Sequence, residues 1–395
     1  MRFLWVTLAD PDPAYGGQLI YSGGLIQSVA SQGAEIDVIG QTRPDAHRRD
    51  GMREGHVTWH LAEPLPYSRL RSLSSTLPSQ AFRGGSAATY ARLAKLLEER
   101  TWDVVVFDSL CSGWALKNVI ARYARESRRP RYVYISHNHE ESVRRRLIAN
   151  HPAWLRRQML RIDGYRVIRL DRALVGVADL VTTITPEDRA LYRKRWPQKR
   201  FEVLTPGYGG RTLASRRLGQ DVPRSAVVLG TFDWIAKRLN LEEFVRVADP
   251  MFAAAGAELH IVGNAEPAFL EAMQRGATAT RFVGRVACVD KYMDQSRIAI
   301  VPERHGGGFK LKVLDYVFNR LPIFALNGSV AGVPLKDGES LQLRPTHEGL
   351  ARGVLDAIED FDGLNRQQQS AYTACMDKFN WESRGKELAT ALAAL

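Results

Sequence analysis

The sequence predicts an α/β protein built from two doubly wound parallel sheets. Three observations carry this. Short apolar runs suited to buried parallel strands alternate with helix-like segments along almost the whole chain. The alternation breaks near Thr205-Pro-Gly-Tyr-Gly-Gly210 and restarts at Val227. A length of 395 residues suits two domains better than one large sheet.

Strands of the first set are expected at 3–8, 35–39, 57–61, 104–107, 132–135 and 180–184. Those of the second are expected at 227–230, 258–262, 281–283, 298–301 and 323–326. The first domain is expected at 1–205 and the second at 206–379. The last segment, 380–395, reads as an alanine-rich helix that packs back onto the first domain.

Composition narrows the function classes. Hydrophobic residues at 45% and charged residues at 25% are ordinary for a soluble globular chain. The net charge of +12 is not, and it implies an acidic partner: a membrane surface, a phosphorylated ligand or nucleic acid. No nucleic-acid module accompanies the basic residues, so no nucleic acid is expected. Cys111, Cys288 and Cys375 lie far apart, without metal spacing, as reduced thiols in a cytoplasmic protein would. The opening Met1 to Ala9 is too short an apolar stretch for a signal peptide, and no run approaches the roughly 20 residues that span a bilayer.

Nine arginines fall between Arg144 and Arg172, interleaved with Leu147, Ile148, Trp154, Leu155, Met159, Leu160, Ile162 and Val167. The segment reads either as a solvated basic helix pair or as a face for anionic lipid or a lipid-linked diphosphate, which would bring the protein to the inner face of a membrane.

The most informative motif is Pro302-Glu-Arg-His-Gly-Gly-Gly-Phe-Lys310, together with the helical segment after it. A strand ends at Val301, and Gly306, Gly307 and Gly308 let backbone approach a ligand. A helix is expected from about Phe309, with Leu311, Leu314, Val317 and Phe318 on one stripe and Pro322 beyond its end. Its N-terminus suits an anion, and Lys310 and Lys312 in the first turn oppose the helix dipole unless something negative binds there. The same segment also reads as a structural turn with solvated lysines.

Three weaker signals sit at other strand exits. Gly16-Gly17 follows the first strand, as a phosphate turn or simply a turn; it is not the dinucleotide fingerprint. Asp10-Pro-Asp12 resembles a metal motif in letters alone. Ser136-His-Asn-His-Glu-Glu141 follows a middle strand and places His137 at its carboxyl end. Its residue types suit zinc, but nothing completes a ligand set. Gly230-Thr-Phe-Asp-Trp-Ile-Ala-Lys237 leaves the second domain's first strand, with Lys237 as a diphosphate partner or a surface lysine.

In this order the motifs resemble GT-B glycosyltransferases of the large retaining group called family 4, or glycosyltransferase group 1. The early Gly16-Gly17, the histidine His137, the pair Gly230 and Lys237, the exit Phe282-Val-Gly-Arg-Val286 and the run Pro302 to Ile323 carry the resemblance. Ser-His-Asn-x-Glu and Gly-Gly-Gly-x-x-Leu-Lys-x-Leu resemble a subgroup that builds bacterial exopolysaccharide or decorates other acceptors. The chain departs from the pattern twice. Of two acids eight positions apart, the second falls at Asp315 and the first at Gly307, with Glu303 four residues upstream. Thr231 stands where an arginine is common, leaving Arg304, Lys310 or Lys312 to supply the charge.

The resemblance implies two Rossmann-like domains facing a central cleft, the first on the acceptor side and the second holding the donor. It implies transfer of a hexosyl-type sugar from a nucleotide diphosphate sugar to the hydroxyl of a glycan, lipid-linked or other acceptor, without metal or cofactor. His137, Lys237 and Asp315 would serve the chemistry. Gly16, Gly17, Lys237, Gly307, Gly308, Phe309 and Lys310 would hold the diphosphate. Gly230, Arg285, Val286 and Asp315 would hold base and ribose, and Tyr15, Asn138 and Glu140 would face the acceptor. The alternative is a non-catalytic sugar-nucleotide or glycan-binding protein of the same fold. A phosphorylase or epimerase is a third, for which no cofactor-lysine motif is seen.

Overall fold

The computed structural model describes residues 1–14, 16–64, 72, 74–150, 154–232, 235–304 and 308–395. It divides into two compact units, Met1–Gly207 with Asn380–Leu395, and Tyr208–Phe379.

The first unit holds strands β1 (Arg2–Ala9), β2 (Glu35–Gln41), β3 (Arg53–Glu54), β4 (Val57–Ala62), β5 (Val104–Asp108), β6 (Arg131–Ser136), β7 (Leu180–Thr183) and β8 (Arg200–Val203). They form one sheet in the order β3-β4-β2-β1-β5-β6-β7-β8, parallel except for β3 against β4. Every residue of β5 is buried, as a strand covered on both faces requires. The helices are α1 (Gly17–Ala30), α2 (Ser79–Gly84), α3 (Ala87–Glu99), α4 (Leu116–Tyr123), α5 (Glu140–Asn150), α6 (Trp154–Val177) and α7 (Pro186–Arg195). Leu4, Val6, Phe107, Tyr134, Leu174 and Val181 join in the core they cover.

The second unit holds β9 (Ser225–Leu229), β10 (Glu258–Val262), β11 (Thr280–Gly284), β12 (Ile298–Val301), β13 (Ile323–Leu326) and β14 (Gln342–Arg344). Their order is β11-β10-β9-β12-β13-β14, all parallel. Its helices are α8 (Ile235–Ala254), α9 (Pro267–Arg275), α10 (Asp290–Asp294), α11 (Leu311–Phe318), α12 (His347–Ala357) and α13 (Phe361–Cys375). One sheet face packs Phe244, Phe252, Leu259, Ile300 and Leu350. The other packs Val227, Val301, Val313, Tyr316 and Val317.

The eleven strands expected from sequence are all present, within a residue or two of the expected ends. Three further strands, β3, β8 and β14, were not expected, and all three lie at sheet edges. Arg-Phe-Glu-Val and Gln-Leu-Arg carry the charged and polar side chains that protect an edge, and those side chains hide the apolar pattern.

The last helix, α14 (Trp381–Ala393), belongs to the first unit. It is capped by Asn380, whose side chain accepts from the Glu382 N–H at 2.8 Å. Its seat on α1 is made by glycines. A Cβ at Gly24 or Gly207 would overlap the Trp381 ring, and one at Gly385 would overlap the Ser28 carbonyl. The Gly385 N–H donates to Ser28 Oγ at 2.6 Å, and that hydroxyl donates to the Trp381 carbonyl. No described helix is long and apolar enough to cross a membrane.

This seat predicts that Gly24→Val destabilises the first unit by about 1–3 kcal/mol through overpacking. Chemical denaturation followed by Trp fluorescence measures it, and a variant as stable as the parent would show that Trp381 moves aside without cost.

Candidate functional site

In each sheet the chain starts in the middle and winds outward both ways. β1 lies between β2 and β5, and β9 lies between β10 and β12. At such a switch point the crossovers leave to opposite sides, and a crevice opens at the carboxyl ends of the strands. The groups expected from sequence are distributed over these ends, one constellation in each unit.

In the first unit, β1 leads to Gly16, which has φ 92°, a conformation that favours glycine, and open space where a side chain would stand. α1 begins at Gly17 with no acidic residue in its first turn. Gln18 Nε2 donates to Ser109 Oγ at 3.1 Å, tying the helix start to the exit of β5. Ser109 itself is held at φ 63°, a strained conformation for a residue with a side chain. Tyr15 lies outside the described residues.

His137, at the exit of β6, is fixed by a residue that the sequence analysis passed over. Its Nε2 lies 2.8 Å from Oδ1 of Asp108, the fully buried last residue of β5. Oδ2 of Asp108 accepts from Trp5 Nε1 and Thr7 Oγ1, both at 3.1 Å. Burial opposes charge on Asp108, but the His137 and Trp5 contacts outweigh it and hold the carboxyl below its ordinary range. An ionised carboxylate can only accept, so the proton sits on Nε2, and Nδ1 of His137 is the ring atom left for a ligand. The imidazole stands edge-on to Tyr21, with ring centroids 5.1 Å apart.

The rest of the Ser-His-Asn-His-Glu run is built into the unit. The Asn138 carbonyl accepts from Ser136 Oγ at 2.8 Å and from the Tyr192 hydroxyl at 3.2 Å. The Tyr134 and Tyr192 hydroxyls lie 2.9 and 2.8 Å from Asp171 Oδ1. Burial pushes the Asp171 carboxyl up to about 7. His139 is held by Ser142 at 2.6 Å and packs on Tyr192. Glu140 is buried 3.5 Å from Arg144, and burial pushes its carboxyl up.

In the second unit, Lys237 on α8 donates its Nζ to Thr231 Oγ1 at 2.9 Å, just past the exit of β9. Thr231, read in the sequence as a lost arginine, is therefore the lysine's support. Gly230 packs so closely on the exit of β10 that a Cβ at Gly263 would overlap the Gly230 carbonyl. Arg285, exposed, and Val286, half-buried, follow β11.

The glycine segment after β12 corrects the sequence reading in where its helix starts and in what Lys312 and Glu303 do. Gly307 lies outside the described residues, with 305 and 306, while Gly308 has φ 78°. α11 begins at Leu311, not near Phe309, because Gly308 turns left-handed and Lys310 is still extended as the N-cap. Phe309 instead packs on the core, 5.8 Å from the Phe379 ring. Lys312 is not a solvated charge: its Nζ donates to the Leu229 carbonyl at 2.9 Å and pairs with Glu303. Burial pushes the Glu303 carboxyl up, but Lys312 and Lys310 outweigh it and hold it below its ordinary range. Glu303 therefore does not stand in as a free acid for the one missing at Gly307. Asp315 is half-buried on α11, and burial raises its carboxyl to about 6 against the opposing contact of Tyr208.

Asp108 is the residue that sequence reasoning missed; Thr231, Glu303 and Lys312 were named, but not their contacts. A carboxylate ending the run Val-Val-Val-Phe at a central strand was the available signal for Asp108.

Comparison with known proteins places this geometry. Residues 223–360 match the family model described as Glycosyl transferases group 1. No curated protein matches the chain in sequence. Among solved structures, sucrose-phosphate synthase from Thermosynechococcus elongatus is 19% identical, with TM-score 0.72, covering 100% of this chain and 98% of that one. WaaG, a glycosyltransferase involved in lipopolysaccharide biosynthesis, is 16% identical, with TM-score 0.68 and full coverage of both chains. Anabaena HepE in complex with UDP and glucose is 12% identical, with TM-score 0.63 and full coverage of both. The fold is that of the GT-B glycosyltransferases, with two Rossmann-like units. The family match and the fold together support sugar transfer.

Two outcomes follow from the buried carboxylates. Lys312→Met removes the paired one of the two lysines that hold the Glu303 charge and should cost about 3 kcal/mol in the second unit. Adding Glu303→Gln should recover part of that loss in the same denaturation experiment. For Asp171, a folded value raised from 3.8 to about 7 gives stability that is full below 3.8 and lost as pH rises toward 7. Melting temperature should therefore fall more between pH 5 and pH 8 in the parent than in Asp171→Asn, and equal slopes would show that Asp171 ionises freely.

Proposed function

We propose, for a chain with the GT-B fold and a group 1 glycosyltransferase match over its second unit, that the protein transfers a sugar from a nucleotide diphosphate sugar to an acceptor hydroxyl. The observation that carries this is the placing of Lys237 and the Gly308 turn. They follow β9 and β12, the two strands that flank the switch point of the matched unit.

The second unit is the donor domain in this reading. Breaking the bond between the sugar and the diphosphate leaves positive charge on the sugar carbon and negative charge on the departing phosphate oxygens. Lys237, held by Thr231, and the backbone N–H groups of Gly308, Phe309 and Lys310 stabilise that negative charge, and a metal ion is not needed for the purpose. Asp315 accepts from a ribose or sugar hydroxyl, and Gly230, Arg285 and Val286 frame the nucleoside. In the first unit, His137, whose Nδ1 is left for a ligand by the bond to Asp108, and the Gly16-Gly17 turn are the ligand-binding groups of this reading. The reaction is retaining: the acceptor oxygen bonds to the sugar carbon on the face from which the diphosphate leaves, and the acceptor proton passes to the departing oxygen. HepE was crystallised with UDP-glucose, which makes a uridine nucleotide the first donor to test. Glycan or glycoconjugate biosynthesis is the corresponding pathway class.

The pairing of Glu303 with Lys312 favours a second reading, in which the protein binds a sugar nucleotide without turning it over, because the nearest acid to the Gly307 position is already used. Incubation with UDP-, GDP-, ADP- and CDP-linked sugars and a hydroxyl acceptor separates the two. Release of nucleotide diphosphate supports transfer, whereas saturable binding with no release across the panel supports the second reading.

Lys237→Ala should lower kcat by about 100-fold or more while the unit stays folded, and normal turnover would remove Lys237 from the site. Asp108→Asn should lower kcat by about tenfold or more and alter the pH profile, because the proton on His137 is no longer held on Nε2. Nucleotide affinity, set in the second unit, should be unchanged.

A further inference from the structure

The first half of α6 presents a face that the proposed reaction does not use. Large apolar residues are rarely exposed in this protein, yet Met159, Ile162 and Tyr165 are 50, 54 and 70% exposed within two turns of this one helix. At about 100° per residue they fall on one side, with Arg166 and Arg169 among them and Arg161 at the edge next to Tyr165. Val167, Leu174 and Val175 point the other way, and with Leu170 they are buried in the core.

The charge on this face is of one sign. The two acids of α6 are turned away from it: Asp171 is buried, and Asp163 accepts from the Ser79 N–H at 2.9 Å. Among the described residues, the hydrogen-bond partners of Arg161 and Arg169 are neutral, Gln158 Oε1 at 3.2 Å and the Thr76 carbonyl at 2.8 Å. The Arg166 guanidinium similarly reaches the Ser72 carbonyl at 3.2 Å. Three other arginines of the basic segment do have carboxylate partners: Arg144 pairs with Glu140, and Arg145 and Arg172 pair with Glu141. The charge of Arg161 and Arg169 thus lies where the apolar side chains are exposed. A shallow groove of about 520 Å³ separates this face from Ser74–Thr76.

We infer that this face of α6 docks the protein on the surface of an anionic phospholipid bilayer. The two halves of the pattern call for different parts of the same partner. Guanidinium groups bind lipid phosphates, and the long stems of arginine lie along the interface. Met159 and Ile162 gain by leaving water for the acyl boundary, and Tyr165 suits the interface with an apolar ring and a polar tip. A nucleic acid would satisfy the arginines but would give two exposed aliphatic side chains nothing to bind.

The test is flotation of the full chain with vesicles of phosphatidylcholine alone and of phosphatidylcholine with phosphatidylglycerol. The protein should float with the anionic vesicles, weakly with the neutral ones, and less as salt is raised. Each arginine at an anionic surface is worth about fivefold in partitioning. Arg161→Glu with Arg169→Glu should therefore weaken binding roughly 25-fold or more, and Ile162→Ser with Tyr165→Ser about tenfold. Arg125→Glu with Arg128→Glu changes the net charge equally at another exposed place and should leave flotation largely intact. Circular dichroism and melting temperature confirm that each variant is folded. No flotation of the parent at low salt, or an equal loss in the Arg125/Arg128 control, overturns the assignment. So does a face pair that floats normally but no longer binds a single-stranded oligonucleotide, which would make the face a nucleic-acid surface.

Discussion

A parallel strand cannot be followed directly by its neighbour; the chain must cross back over one face of the sheet first. Where the strand order reverses, at β1 and β5 in one sheet and at β9 and β12 in the other, successive crossovers leave to opposite sides. The strand ends between them are left without a covering helix. Gly16, Asp108 and His137 in the first unit, and Lys237, Glu303 and Gly308 in the second, follow those ends or the end of the next strand. The chemistry of both units is thus laid out by sheet topology before any side chain is chosen.

Much of this layout was legible in the sequence because buried parallel strands are nearly continuous apolar runs. Val-Val-Val-Phe at 104–107 and Ile-Ala-Ile-Val at 298–301 need no partner to be recognised. The missed strands are those whose edge position demands charge, as in Arg-Phe-Glu-Val at 200–203. The site was readable to the same extent. His137 stood out as a histidine after a middle strand, but its partner Asp108 lies on another strand, 29 residues earlier, and only the pairing of β5 with β6 brings them together. Lys312 looked available because the helix was expected to start two residues early. Once α11 starts at Leu311, the lysine reaches back to Glu303 and the Leu229 carbonyl.

The two buried pairs use the same physics for different ends. A charge taken out of water is tolerated where an opposite charge or several hydrogen bonds meet it; Lys312 supplies the first for Glu303, and three donors supply the second for Asp108. Asp108 spends its acceptor capacity on Trp5, Thr7 and His137, so one imidazole nitrogen is fixed and the other left over. Lys312 spends its charge on Glu303, which joins the exits of β9 and β12 and leaves Lys310 and Lys237 as the lysines beside the glycine turn and the β9 exit.

The seat of α14 has a consequence for how the polypeptide is made. The first unit takes its final helix from residues that follow the whole second unit, so the second unit is an insertion within the first. The ends of the insert are joined to each other, Tyr208 N–H donating to the Phe379 carbonyl at 2.9 Å. During synthesis the insert can therefore close around its own sheet while its host waits. Until the ribosome releases Trp381, the α1 surface around Gly24 faces water, and this is the surface that a chaperone would have to guard.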